Sequence, residues 1–125
     1  MILALRPDGP TTHIGILPGK LIEWESQRRL ADELLGRIRD LAKAQDKTIN
    51  DLTGIVIYSG PGSFTSLRIG HTVANALAES LNIPIVGTQG DDWLEAGQKA
   101  LSKAKAGEPV WPFYGAEANV TRPKA

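Results

Sequence analysis

The chain has 125 residues, with 14 basic and 14 acidic side chains, two histidines and no cysteine. That is one domain's worth of chain, long enough to bury a core without a disulfide or metal staple. The composition excludes a disulfide scaffold, a thiolate metal site and a cysteine nucleophile, and the balanced charge argues against a general nucleic-acid-binding surface.

Met1 to Leu5 is a short apolar run that meets Arg6-Pro7-Asp8 at once, which reads as a strand and not as a signal peptide. No run approaches the ~20 apolar residues of a bilayer span, so no membrane contact and a cytoplasmic location are expected. The turn cluster Pro7-Asp8-Gly9-Pro10 leads to a second strand, Thr12 to Leu17. Pro18-Gly19-Lys20 then turns into a third, Leu21 to Glu25, an antiparallel meander. From Gln27 to Ala44 the period becomes helical. Leu30, Leu34, Leu35, Ile38, Leu41 and Ala42 share one face, and Arg28, Asp32, Arg39, Asp40 and Lys43 the other. Thr48 to Leu52 connects to the β-branched run Gly54–Tyr58, a strand buried on both faces. A second helix, Phe64 to Leu81, is stopped by Asn82-Ile83-Pro84; a strand, Ile85 to Thr88, and a third helix, Asp91 to Lys105, follow. The order βββαβαβα makes an α/β mixed sheet with helices, its last two strands parallel across a crossover helix. Residues 1–107 form a single lobe. Residues 108–125, with Pro109-Val110-Trp111-Pro112-Phe113-Tyr114, form an extended tail that packs on the lobe or on a partner.

The segment with most chemistry is Ser59-Gly60-Pro61-Gly62-Ser63-Phe64-Thr65-Ser66-Leu67-Arg68-Ile69-Gly70, a glycine-rich turn between a buried strand and a helix. Gly60 and Gly62 permit unusual backbone angles, Pro61 stiffens the turn and Ser63 can cap the helix. Free N–H groups at such a helix start attract phosphate, yet the Lys of a P-loop is absent. Two readings stand: an anion-binding turn, or a connector whose glycines serve backbone geometry. Arg68 either touches an anion or pairs with a carboxylate. Gly70, Ala74 and Ala78 form a stripe that lets another backbone approach, in the core or on a partner helix. With no cysteine and only His13 and His71, no metal site is expected, and His71 reads as an interface or surface residue. Asp91-Asp92 looks like a helix N-terminal acid pair. Trp24, Trp93 and Trp111 read as core or tail-docking residues, and the tail's aromatics also suit anchors on a partner.

Gly60-Pro61-Gly62-Ser63-Phe64-Thr65 with Leu67-Arg68-Ile69-Gly70, set between strand Ile55–Tyr58 and Ile83-Pro84-Ile85-Val86-Gly87, resembles the TsaB (YeaZ) family. That family's signature is G-P-G-S-F-T-G-L-R-I-G, and only Ser66 departs from it. The tail, from Pro112-Phe113-Tyr114 to Val120-Thr121-Arg122-Pro123, resembles the segment that closes longer members. The resemblance implies a lobe of the actin-like, ASKHA-type (ribonuclease H-like) fold. It also implies a non-catalytic scaffold without cofactor that binds a TsaD (Gcp-type) protein. With a TsaE-like ATPase, that complex makes threonylcarbamoyladenosine at adenosine 37 of tRNA, and tRNA is then met through the partner. The implied contact is the first two helices, here Leu30, Leu34, Ile38, Leu67, Gly70, His71, Ala74, Leu77 and Ala78, through which copies can also pair as a homodimer. The motif turn, Gly60, Gly62, Ser63, Thr65 and Arg68, remains a candidate anion site. The alternative is therefore a small nucleotide-binding or ATPase module using Gly60–Ser63.

Three departures bear on this. Members usually open with an Asp-Thr-Ser-type phosphate turn, where this chain has Leu5-Arg6-Pro7-Asp8-Gly9-Pro10-Thr11-Thr12. The length corresponds to one lobe of a two-lobed fold, which implies a minimised member. Arg28-Arg29 stands where the first helix often carries a histidine. A peptidase ranks last, since neither a metal cluster nor a supported Ser–His pair is in view. A local basic patch of Arg28, Arg29, Lys99, Lys103 and Lys105 is the one candidate for direct tRNA contact.

Overall fold

In the computed structural model, which describes residues 1–114, the strands are β1 (Ile2–Arg6), β2 (Thr11–Leu17), β3 (Ile22–Glu25), β4 (Gly54–Tyr58) and β5 (Ile85–Thr88). The helices are α1 (Leu30–Ala44), α2 (Phe64–Leu81) and α3 (Trp93–Leu101). Alternation along the central strands decides how these stack. Leu3 and Leu5 of β1 and Ile55 and Ile57 of β4 join one core, with Leu34 and Ile38 of α1 and Ala74, Leu77 and Ala78 of α2. Ala4 and Val56, one residue out of step, join a second core with Tyr58, Leu67 and Trp93. The sheet is thus clothed by α1 and α2 on one face and by α3 on the other.

The strand order is β3-β2-β1-β4-β5. β1–β2 and β2–β3 pair antiparallel, while β1–β4 and β4–β5 pair parallel, with Leu5 opposite Ile57 and Ile57 opposite Gly87. β4 is buried along its whole length, as expected for a parallel strand covered on both sides.

The expected elements are all present, the strands within a residue of their expected bounds and two helices shorter than expected. α1 begins at Leu30 and not at Gln27, because Arg28 sits in the left-handed region (φ 61°) and cannot be a helical residue. α3 is shorter than expected, Trp93–Leu101, and Asp92 stands at its N-cap without making a side-chain cap bond. The connector contains a single 3₁₀ turn, Ile49–Asp51, closed by a capping box in which Asn50 N–H donates to Thr48 Oγ1 and Thr48 N–H to Asp51. Of the tail, residues 108–114 run along the lobe. The remainder, including Val120 to Pro123, lies outside the described residues.

Candidate functional site: the glycine turn and the two-helix layer

The buried strand β4 ends at Tyr58 and delivers Ser59-Gly60-Pro61-Gly62 to the start of α2. Ser63 caps the helix, its Oγ accepting from Ser66 N–H at 3.4 Å, as its place in the sequence suggests. What fills the turn is the chain itself. Ser63 N–H donates to the Asp8 carbonyl at 2.9 Å, and Ser66 Oγ–H to the Gly9 carbonyl at 3.3 Å. Tyr58 Oη–H donates to the Pro61 carbonyl at 2.9 Å and Gln89 Nε2–H to that of Gly60 at 3.1 Å.

The two glycines are required by these neighbours. A Cβ on Gly62 would lie 2.6 Å from Asp8 Cβ and 2.8 Å from the Asp8 carbonyl oxygen. Gly60, at φ 126°, has the Phe113 carbonyl against it, and Phe113 N–H donates to the Ser59 carbonyl at 2.7 Å.

Asp8 is held by Arg6, whose Nε lies 2.9 Å from its Oδ2, and the Arg6 guanidinium also stacks 4.0 Å from the centre of the Tyr58 ring. The loop that stands in place of a phosphate turn is therefore internally neutralised. Thr65 and Arg68 are exposed. Arg68 lies over the Phe64 ring, 5.3 Å from its centre, and Phe64 packs on Tyr114 with centroids 4.5 Å apart. Burial raises the Tyr114 hydroxyl above its ordinary range, and the Arg68 charge opposes this to a smaller degree.

The nine residues assigned to a partner contact on α1 and α2 are placed inside the lobe. Leu30, Leu34, Ile38, Leu67, His71, Ala74, Leu77 and Ala78 are each at most 6% exposed, and Gly70 is buried as well. Gly70 is small because the fully buried Pro7 of the β1–β2 loop presses on it: a Cβ there would lie 2.7 Å from Pro7 Cβ. Ala74 and Ala78 admit the sheet and α1.

His71 is correspondingly a core residue and not a surface one. It is 2% exposed, its Nδ1 is 2.8 Å from the Leu67 carbonyl oxygen, and its Nε2 is buried without a partner. Burial lowers its pKa below the ordinary histidine value, with the Leu67 carbonyl opposing in part. Trp24 and Trp93 are buried, whereas Trp111 is 75% exposed. The five basic residues do not make one patch, since Arg28 and Arg29 precede α1 on one face and Lys99, Lys103 and Lys105 belong to α3 and its exit on the other. Among the described residues no three His, Asp or Glu side chains converge on a metal position.

What α1 and α2 do present outward is the seam between them, a signal the sequence carries only weakly. Leu35 is 37% exposed, Ala31 lies one turn before it, and Ile69 and Val73 of α2 are half-buried. At the helices' N-terminal ends the seam opens into a groove of about 350 Å³, lined by Leu30, Ala31, Thr65, Ser66 and Ile69 and rimmed by Gln27 and Arg28.

Three antiparallel strands followed by two parallel ones, with two helices on one face and one on the other, define a ribonuclease H-like lobe of the ASKHA type. A family model described as "TsaD: tRNA N6-adenosine threonylcarbamoyltransferase" matches residues 12–110. The tRNA threonylcarbamoyladenosine biosynthesis protein TsaB of Bacillus subtilis is 48% identical over 48 residues, covering 38% of this chain and 21% of that protein. The TsaB protein of Escherichia coli is 28% identical over 102 residues, covering 74% of this chain and 44% of that one. The solved structure of YeaZ from Pseudomonas aeruginosa superposes with a TM-score of 0.63 at 26% identity, over 70% of this chain and 43% of that one. The chain belongs to this family, as a member of the TsaB (YeaZ) type. It spans less than half the length of these relatives.

Proposed function

We propose that the chain serves threonylcarbamoyladenosine formation at adenosine 37 of tRNA as a non-catalytic scaffold. It binds a TsaD-like protein, within an assembly that includes a TsaE-like ATPase and meets tRNA through the partner. The observation that supports this reading is the outward seam of α1 and α2, apolar at Ala31, Leu35, Ile69 and Val73 and open as a groove at one end. Aliphatic side chains left partly exposed on two adjacent helices are suited to a helix from another protein. The same seam is where two copies would pair when the partner is absent. The glycine turn supports the scaffold over a nucleotide module, because its glycines and the Ser63 N–H are committed to Asp8 and Phe113.

The test is size-exclusion chromatography and calorimetry of the full chain with its cognate TsaD-like protein. A complex is expected, lost in Leu35→Glu, a variant whose exposed site leaves the fold intact. Separate elution of the two wild-type proteins would end the proposal. Unchanged binding by Leu35→Glu would remove the seam from it.

A further inference from the structure

A second groove lies on the other flank of α2 and has no part in the scaffold reading. It has a volume of about 480 Å³ and is walled by Thr72, Ala76 and Glu79 of α2, by Ile83 and Ile85 at the entry to β5, and by the segment Gly107 to Trp111. The outer wall is fixed by a side-chain clamp. Asn75 Nδ2–H donates to the Val110 carbonyl at 2.8 Å, and Val110 N–H donates to Asn75 Oδ1 at 3.0 Å. One amide thus pairs both backbone groups of Val110, as a neighbouring strand would. With Val110 packed inward beside Gly87, the next residue, Trp111, stands 75% exposed at the mouth of the groove. The floor is aliphatic, and the charged side chains that line it are Glu79 and Glu108, with no Lys or Arg among the described residues of the lining.

We propose that this groove is a docking site for a short basic amphipathic segment of another protein, one that presents Lys or Arg beside aliphatic side chains. The aliphatic floor takes the apolar residues, Glu79 and Glu108 pair with the cationic heads, and the Trp111 ring offers its face to an Arg or Lys. Charge decides the occupant: an acidic or neutral apolar segment would desolvate two carboxylates without a counter-charge, whereas a basic one neutralises both. The inference stands apart from the TsaD reading, because seam and groove lie on different flanks of α2.

The experiment is ¹⁵N NMR titration of the full chain with an acetylated, amidated helical peptide built from Leu, Ala and Lys, and with its counterpart in which every Lys is Glu. The Lys peptide is expected to shift the amides of Thr72, Ala76, Glu79 and Glu108 and the Trp111 indole N–H, and the Glu peptide to leave them in place. Glu79→Gln with Glu108→Gln, both on exposed side chains, should weaken the Lys peptide about tenfold at low salt, with the loss shrinking as salt rises. Trp111→Ala should weaken it further without altering the far-ultraviolet circular dichroism. Shifts confined to another surface, equal binding of the two peptides, or indifference to the double Gln change would each overturn the proposal. So would concentration-dependent dimerisation abolished by Trp111→Glu, since the groove would then hold a second copy of the chain.

Discussion

Gly70→Ala separates the two roles open to the small residues of α2, because the roles predict opposite signs. On an open helix face an added methyl removes the glycine penalty, so stability should rise by about 1 kcal/mol. In this structure the methyl meets Pro7, which is fully buried and whose ring cannot rotate away. Overpacking of this kind costs about 1–3 kcal/mol, and the rigid neighbour places it near the upper end. The net expectation is a loss of about 2 kcal/mol, or a fall in Tm of roughly 8 °C for a chain of this length. The assay is urea and thermal denaturation followed by circular dichroism. Pro7→Gly, which removes the ring, should restore part of the loss in the double variant, giving a coupling of at least about 1 kcal/mol. A Gly70→Ala chain as stable as the wild type, or more so, would refute the packing of Pro7 on α2.

Leu34 and Leu35 should diverge under the same substitution: Leu34→Glu buries a charge at a fully enclosed site and abolishes folding, while Leu35→Glu stays within about 0.5 kcal/mol of wild type by urea melts. His71 gives stability a pH dependence of known sign. Its folded-state pKa lies below the usual value of about 6.5, so the unfolded chain takes up the proton first and stability falls as pH drops below about 6.5. In His71→Leu the urea midpoint should fall less between pH 7.5 and 5.5 than in the wild type, and an unchanged pH dependence would count against the buried neutral ring. Asn75→Ala removes both bonds to Val110 and should cost about 1–2 kcal/mol locally, read as faster hydrogen exchange at the Val110 and Phe113 amides.

Much of this architecture is legible in the sequence where the signal is local. The bounds of α2 follow from a Ser cap at one end and Asn82-Ile83-Pro84 at the other, and Asn82 indeed closes the helix in the left-handed conformation. β4 and β5 follow from short β-branched runs between breakers. The start of α1 does not, since nothing in Gln27-Arg28-Arg29 announces that Arg28 takes a left-handed turn.

The candidate site is less legible for a related reason. A glycine reports that something comes close, not what. Pro7 and Asp8 reach Gly70 and Gly62 across more than 50 positions of chain, and no periodicity connects them. Likewise, Leu34 and Leu35 are equally apolar in the sequence, and only the placement of α1 against α2 and the sheet buries one and leaves the other half in water. His71 is polar by type, yet its ring lies on the inner stripe of α2.

The two-sided sheet has a consequence for how the lobe comes apart. The larger core ties α1 and α2 to β1, β2, β4 and β5, whereas α3 is a helix of nine residues held to β4 and β5 by a much smaller cluster. Besides the strands between them, the two layers share only Leu67, from the first turn of α2, among the buried residues described. Under mild destabilisation α3 should therefore peel off as a separate cooperative unit, while the opposite layer persists on an intact sheet. Loosening of that kind would expose Val56 and the inner side of Tyr58 at the end of β4 that leads into the glycine turn, and leave the outward seam of α1 and α2 untouched.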